Sequence, residues 1–312
     1  MRRASLALLA AATLLLPAAC NRGAGSGKPR IAMVLKTLNN PFFIDMQRGA
    51  EDAAKRLNVD LTVQAAERET DVEKQMQIIE NLVETGVNAL AIAPSGSKEV
   101  VTAVAKANAA NIPVVIVDDK VDAQAAKEAG VHWEAYVGSD NVEGGRIAGR
   151  YLAQLTNGSA NVALLEGIPG HQTGDARLKG FKEAIQSSPA IKIVASQTAN
   201  WERDQGFNVF QNMLQAHPDI DAVFACNDMM ALGAVEAIRA AGKTGKIRVI
   251  GFDALDDAKK AIAAGTMEAS VAQFPAEMGK AAVESAVKVI RGEALPADIN
   301  VKLALVTKDN VK

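Results

Sequence analysis

Short apolar runs alternate with amphipathic stretches from residue 30 onward, and this alternation limits the chain to few folds. The stretches between the runs, such as FIDMQRGAEDAAKRL, carry apolar residues at helical spacing. The runs of strand length are IAMVL, NVDLTVQ, NALAIA, IPVVIVD, EAYVGS, NVALLEG, IKIVASQ, DAVFAC, IRVIGFD and MEASVAQF. Strands that alternate with helices predict βαβ units and parallel sheets covered on both faces. The sequence therefore predicts an α/β protein.

The number of these units indicates two domains rather than one. A chain of 312 residues, 49% of them hydrophobic, has material for about two cores. The first break is expected near YVGSDNVEGG, where a strand ends and Asp140 or Asn141 caps a new helix. Glycines follow several helical stretches and should end them: Gly86, Gly130, Gly242 and Gly265. We therefore expect two doubly wound parallel-sheet lobes.

The charge balance and the missing motifs exclude several classes of function. A net charge of −2 and 4% aromatic residues give no reason to expect nucleic acid as a partner. The sequence contains no GxxxxGK[ST] phosphate loop and no GxSxG elbow. His132, His171 and His217 are too dispersed in sequence to predict a metal site. We therefore expect no metal, no cofactor and no enzymatic activity.

The amino terminus has the pattern of an export signal. MRR is followed by the apolar run LALLAAATLLLPAA and then by Cys20, and this run is too short for an ordinary spanning helix of about 20 residues. LPAAC resembles the lipobox of bacterial lipoproteins, in which the cysteine is acylated, although Pro17 departs from that pattern. We expect a signal peptide over residues 1–20, a lipid on Cys20 and a flexible tether over 21–29. Plain cleavage near the alanines is the alternative.

Only one other cysteine occurs in the chain. Cys226 follows an apolar run, and no histidine lies near it in sequence. We expect it to pack as a small hydrophobic residue rather than to act as a nucleophile.

Polar and aromatic side chains follow the apolar runs, where ligands of open α/β sheets bind. Carboxylates and amides can take paired hydroxyl groups, and aromatic rings can cover the C–H faces of a sugar. The residues at these strand ends include Lys36, Asn40, Phe42, Phe43, Asp118, Asp119, Trp201, Asn227, Asp253 and Gln273. This mixture of side chains favours a polyol as the ligand.

Simpler roles compete at several of these positions. Asp140 and Asp228 are predicted to be helix caps, whereas Asn227 is predicted to face the cleft. The pair Asp118 and Asp119 could equally form a solvated turn. Phe42 and Phe43 could both belong to the core, or one could pack in the core while its neighbour contacts the ligand.

A family resemblance connects these motifs. TLNNPFF, NIPVVIVD, SDNVEGGRIAG, ACNDMMALGAVEAI, VIGFD and SVAQFP together resemble the periplasmic sugar-binding proteins of the ribose-binding type, from residue 30 to about 306. VLKTLNNPF, VDDKVD and VASQTANWERD are more similar to the allose-binding members. The resemblance implies a type I periplasmic binding protein fold with three hinge crossings. Its amino-terminal lobe would comprise 30–139 and 274–300, and its carboxyl-terminal lobe 140–273 and 301–312.

The resemblance also implies which residues bind the sugar. Asn40, Phe42, Phe43 and Asp118 would contact it from the first lobe, Arg177, Trp201, Asn227 and Asp253 from the second, and Gln273 from the hinge. Lys36 and Asp119 depart from the ribose-type pattern and fit the allose-type one. An aldohexose such as D-allose is therefore expected, while ribose, another pentose, a ketose or a polyol stays open.

The same resemblance implies a role in transport outside the cytoplasmic membrane. The partners would be a monosaccharide and the permease of an ABC importer, with a chemoreceptor as an open further partner, and the protein would be a monomer. A regulator of the lactose-repressor kind would need a DNA-binding segment before residue 30, where the leader stands. A sugar-processing enzyme would need a general acid and base at the bound sugar.

Overall fold

The computed structural model describes residues 27–311, which fold into two α/β lobes, each built on a six-stranded sheet. The predicted signal peptide, Cys20 and the tether up to residue 26 lie outside the described residues. The first sheet has the order β11-β5-β4-β3-β1-β2, and all of its pairs are parallel. Its strands are β1 (Arg30–Thr37), β2 (Asp60–Ala66), β3 (Ala89–Ile92), β4 (Val114–Val117), β5 (Ala135–Ser139) and β11 (Asp298–Val301).

The second sheet repeats this plan with one exception. Its order is β12-β10-β9-β8-β6-β7, and only β12 runs antiparallel to its neighbour β10. The strands are β6 (Ser159–Glu166), β7 (Ala190–Thr198), β8 (Ala222–Ala225), β9 (Arg248–Asp253), β10 (Ala269–Ala272) and β12 (Ala304–Thr307). The predicted α/β class with two parallel-dominated lobes is confirmed.

Helices connect the parallel strands. In chain order they are α1 (Pro41–Leu57), α2 (Val72–Glu84), α3 (Val100–Ala109), α4 (Ala123–Ala129), α5 (Asn141–Leu155), α6 (Gln172–Ile185), α7 (Arg203–Ala216), α8 (Asp228–Ala240), α9 (Asp256–Ala263) and α10 (Pro275–Ile290). The four glycines predicted to end helices all have positive φ at helix ends, as predicted. Within residues 27–311, no helix combines the length and the apolar character needed to span a bilayer.

The chain passes from one sheet to the other at three places within the described residues. It crosses between β5 and α5, between β10 and α10, and between β11 and β12. Only Lys302 and Leu303 separate β11 from β12. The chain leaves β11 at the edge of the first sheet and enters β12 at the edge of the second, where β12 pairs antiparallel with β10. The prediction of parallel sheets is therefore wrong at this strand, and periodicity did not predict β11 or β12.

Two predicted helix caps have different outcomes. Asp140 accepts a hydrogen bond from the backbone N–H of Glu143 at 2.9 Å, so its predicted cap is confirmed. Asp228 is not the cap of α8, because the preceding Asn227 accepts from the N–H of Met230 at 2.9 Å. The helix begins at Asp228, whose buried carboxylate instead accepts from the Leu255 N–H and the Ser270 hydroxyl.

Helices α5 and α6 approach each other closely enough to require glycine. A Cβ atom on Gly145 would lie 2.0 Å from the carbonyl oxygen of Arg177, and one on Gly180 would lie 1.8 Å from that of Val142. Backbone therefore packs directly on backbone, and any larger residue would push the two helices apart. This contact fixes the position of α6, the helix that carries Arg177.

Candidate ligand site between the lobes

A cavity lies between the lobes at the carboxyl ends of the strands. Its lining combines charged, amide and aromatic side chains: Lys36, Asn40, Phe42, Phe43, Glu69, Asp118, Thr173, Arg177, Trp201, Asn227, Asp253 and Gln273. The structure thus brings the residues predicted from sequence to one place, except that Asp119 is fully buried behind the lining. Sequence reasoning missed Glu69 and Thr173.

The wall from the first lobe is a buried ionic cluster, which we call the amino-terminal cluster: Lys36, Glu69, Asp118 and Asp119. The Lys36 Nζ atom lies 3.3 Å from Asp119, 3.4 Å from Asp118 and 4.0 Å from Glu69. Burial by itself lowers the pKa of Lys36, but the three carboxylates together raise it above its usual value. The ammonium therefore stays charged.

Two carboxyl groups of this cluster, those of Glu69 and Asp118, respond to burial in the opposite direction. Burial raises the pKa of Glu69 to about 7, against the attraction of Lys36 and the hydrogen bond from Asn40. Burial also raises the pKa of Asp118, again opposed by Lys36. One cation does not compensate all of the carboxylates around it, so the cluster retains capacity to accept hydrogen bonds from a ligand.

The turn between β1 and α1 places the amide and the two rings. Asn40 caps α1 by accepting from the Phe42 N–H at 3.0 Å, and its amide donates to Glu69 at 3.1 Å. Pro41 occupies the first turn of α1, where it is tolerated. The rings of Phe42 and Phe43 meet edge to face with centroids 5.2 Å apart. Both are buried and both line the cavity, so neither is confined to the core.

The wall from the second lobe is organised around Arg177. Its Nε donates to Asn141 at 2.9 Å and its Nη1 to the carbonyl of Cys226 at 2.6 Å. The guanidinium carbon lies 3.9 Å from the ring centroid of Phe252, a cation–π contact. Asp253 lies 3.9 Å from Nη1, and burial, opposed by Arg177, raises its pKa well above its usual value. The guanidinium is therefore fixed mainly by neutral groups.

Trp201 forms the aromatic part of this wall. It is 5% exposed, and a Cβ atom on Gly167 would lie 1.9 Å from the indole, so only glycine allows the ring to rest there. The carbonyl of Trp201 accepts from the Asn227 amide at 3.0 Å, and the indole N–H donates to His171 at 3.3 Å. Contacts on the backbone and on the ring therefore fix its orientation.

Strained backbone is concentrated around the cavity. Asp118, Trp201 and Asp253 have φ values of 65°, 67° and 114°, and Phe274, next to Gln273, has 57°. Residues other than glycine avoid this region, at a cost on the order of 1–3 kcal/mol each, and such strain accumulates at functional sites. The strand ends are therefore shaped to present these side chains.

Gln273, at a crossing between the lobes, has one unused acceptor. Its amide nitrogen donates to Asp253 at 2.6 Å, while its Oε1 atom is buried without a hydrogen-bond partner among the described residues. A buried polar atom without a partner is costly. A ligand hydroxyl in the cavity would satisfy it.

The residues that were missed left a partial signal in the sequence. Glu69 follows β2 by three positions, and the strand-end reasoning passed over this strand. His171 and Thr173 follow the end of β6, and neither was predicted to bind the ligand. Strand-end position alone could have found all three.

Other chemistry finds no support in the described part of the chain. Residues 27–311 contain no group of three His, Cys, Asp or Glu side chains arranged to hold a metal ion. Cys226 is buried in the core, as predicted, and burial raises the pKa of its thiol to about 12. A thiol held protonated is a poor nucleophile.

Comparisons with known proteins agree with this geometry. Residues 31–294 match the family model of the periplasmic binding protein domain. The chain is 40% identical over 269 residues to the D-allose-binding periplasmic protein of Escherichia coli K12, and the match covers 86% of each chain. It is 41% identical over 281 residues to the ribose import binding protein RbsB of the same organism, and that match covers 90% of this chain and 91% of RbsB. A solute-binding protein of Actinobacillus succinogenes with bound D-allose superposes with a TM-score of 0.85, at 40% identity over 90% of this chain and 98% of that chain.

The chain therefore belongs to the periplasmic binding protein family. It is a sugar-binding component of an ABC transport system, of the ribose and allose type, and not an enzyme. The resemblance found in its motifs and the expected periplasmic location are confirmed at this level.

Proposed function

We propose that the protein binds an aldohexose such as D-allose in the cavity between the lobes and delivers it to an ABC importer. The observation that carries the choice of sugar is Lys36, which is buried in the cavity wall and held 3.3 Å from Asp119. The two positions depart together from the ribose-type pattern. D-allose is bound by a solved relative at 40% identity.

Both walls supply the contacts that a sugar needs. Lys36 and Arg177 offer charged donors, while Asp118, Asp253 and the free Gln273 oxygen offer acceptors. Phe42, Phe43 and Trp201 cover the apolar faces of the ring. We propose that Asn40 and Asn227 complete this set, and that Asp119 acts indirectly by holding Lys36.

The energetics allow micromolar binding. A dissociation constant of 1 μM corresponds to about −8 kcal/mol. A hexose has about 12 heavy atoms, so this requires roughly −0.7 kcal/mol per atom, within the ceiling of about −1.5 for small ligands. Hydrogen bonds to charged groups contribute about 1.5–3 kcal/mol each, so a few of them suffice.

Ribose is the second candidate, with another pentose, a ketose or a polyol in the same role. It is favoured by a specific observation, the 41% identity with RbsB, which is comparable to the identity with the allose-binding relative. Overall identity does not separate the two sugars, so the argument rests on Lys36 and Asp119.

The organisation of the chain completes the proposal. The lobe boundaries predicted above are supported by the sheet to which each strand belongs. We further propose a monomer held at the membrane by acylated Cys20, with the permease as its partner and a chemoreceptor as an optional one. Replacing Cys20 with Ala should release the protein into the soluble periplasmic fraction, and a soluble, unacylated wild type would refute the anchor.

A calorimetric titration with allose, ribose, psicose, glucose, galactose and xylose tests the ligand. We expect the tightest binding for D-allose, with a dissociation constant in the micromolar range or below. Tighter binding of ribose would refute the choice of aldohexose and leave sugar binding intact, whereas no binding of any member would refute this ligand class.

A further inference from the structure

Helix α6 begins at the boundary between the lobes, and its first turn is capped by the opposite lobe. His171 occupies the N-cap position, yet its side chain makes no capping hydrogen bond. The N–H of Thr173, in the first turn, instead donates to Asp119 across the cleft at 3.2 Å, and the Thr173 hydroxyl donates to the same oxygen at 2.8 Å. A carboxylate at a helix N-terminus satisfies free N–H groups and complements the helix dipole.

The His171 imidazole forms the second contact between the lobes. Its Nε2 atom lies 2.8 Å from the carbonyl oxygen of Ser95, and its Nδ1 atom lies 3.3 Å from the indole nitrogen of Trp201. A carbonyl can only accept and an indole N–H can only donate. The ring is therefore neutral, with its proton on Nε2.

The charges around the ring agree with this assignment. Burial and the Lys36 ammonium together lower the pKa of His171 to about 4, while Asp119 at 3.4 Å, the hydrogen bond to Ser95 and Glu99 oppose them. Protonation of Nδ1 would remove the acceptor that holds the Trp201 indole. The neutral ring thus fits both of its partners.

We propose that Asp119, His171 and Thr173 form a latch that holds the lobes closed over the sugar and positions Trp201 for stacking. The latch rests on the proposed function. Opening the lobes would separate Asp119 from the first turn of α6 and Ser95 from His171, so the bonds form only in the closed state. Because α6 also carries Arg177, closure of the lobes would bring the Arg177 guanidinium and the Trp201 indole against the sugar at the same time.

Dissociation kinetics of D-allose and D-ribose test the latch. His171→Ala and Thr173→Val should each raise koff by about tenfold and change kon by less than about twofold, because each removes buried bonds that form after encounter. Without sugar, the urea midpoint of unfolding of Thr173→Val should match that of the wild type, because the lost hydroxyl bond to Asp119 joins the two lobes. The matched controls are Thr156→Val, whose hydroxyl bonds within its own lobe, and His132→Ala, which is exposed. Both should leave koff unchanged.

A double-mutant cycle separates positioning from a general structural role. Trp201→Phe keeps a ring but lacks the N–H, so His171→Ala should raise koff less in that background than in the wild type. Additive effects, or a koff for His171→Ala within about twofold of the wild type, would overturn the latch while sugar binding stands. If the wild type binds neither sugar, the proposed function fails first, and the latch fails with it.

Discussion

The two walls of the cavity hold their charges in different ways. In the first lobe, the Lys36 ammonium is surrounded by the carboxylates of Glu69, Asp118 and Asp119. In the second lobe, the Arg177 guanidinium is held by an amide oxygen, a backbone carbonyl and the face of Phe252. Neutral groups mainly fix the arginine, whereas the lysine depends on charged neighbours, two of which, Glu69 and Asp118, also line the cavity.

This difference indicates that the two walls contribute differently to binding. Arg177 is rigid and planar, so it can position a pair of hydroxyls whichever sugar is bound. Lys36 is a point charge whose donors depend on the carboxylates beside it, so small changes in those carboxylates should alter which hydroxyl it prefers. We therefore expect the second lobe to set the strength of binding and the first to set its selectivity.

The largest effect should follow the loss of the second wall's cation. Arg177→Ala should weaken binding of D-allose by about a hundredfold, near 3 kcal/mol, because it leaves Asp253, Asn141 and a buried carbonyl without their partner. Binding of D-ribose should weaken equally. Calorimetry with both sugars measures this.

Two further variants control for the arginine. Arg177→Lys keeps the charge and loses the planar guanidinium, so its affinity for D-allose should lie between that of Arg177→Ala and that of the wild type. Arg48→Ala, at an exposed site on α1, should bind normally. A loss confined to one sugar would contradict the general role of this wall.

A smaller effect is expected from the aromatic part of the same wall. Trp201→Ala should weaken binding by at least about tenfold, or 1.4 kcal/mol, because it removes the ring that would cover the sugar. Sugar should also change the tryptophan fluorescence of the wild type. Trp133, packed at the edge of the first lobe's core, provides the control. The assignment fails if Trp133→Phe abolishes the fluorescence change.

The last effect is on stability rather than on affinity, and it concerns the charge of the first wall. The pKa of Glu69 is raised to about 7 from a usual value near 4.5, so the folded protein holds this proton more tightly than the unfolded chain. The stabilising contribution is therefore fully present below pH 4.5 and is lost as the pH rises through 7. Glu69→Gln, which mimics the protonated form, should gain stability over the wild type by about 1 kcal/mol per pH unit in this window.

Urea unfolding between pH 5 and pH 8 measures that difference. Glu84→Gln, an exposed substitution on α2, is the control. Its free energy of unfolding relative to the wild type should not change across the same pH range. If the stability difference for Glu69→Gln is also flat, Glu69 is not a titrating member of the cluster.

Sequence reasoning reached the fold because its signals are periodic and local. The apolar runs predicted β1 to β10, and Asp140 and the helix-ending glycines were where capping rules place them. It failed at β11 and β12, which form one extended segment shared by two sheets. Nothing in a short segment's own periodicity shows that it will cross between lobes.

The site was predictable in composition more than in arrangement. Strand-end position and family resemblance found most of the residues that line the cavity. They could not show that Asp119 faces α6 of the other lobe, or that His171 supports Trp201, because these contacts join segments far apart in sequence. Asn227 was predicted to face the cavity and also proved to be a helix cap, since one amide can serve both purposes.

The central claim is that Lys36 and Asp119 act as a unit that selects an aldohexose over ribose. A double-mutant cycle of Lys36→Ala and Asp119→Ala, titrated with D-allose and with D-ribose, tests it most directly. We predict strong coupling, because each single change removes a buried charged neighbour of the other residue, Asp119 lying 3.3 Å from the Lys36 ammonium. We also predict a larger loss for allose than for ribose. Equal losses for both sugars without coupling, as for rim charges worth about 0–1 kcal/mol, would contradict the claim.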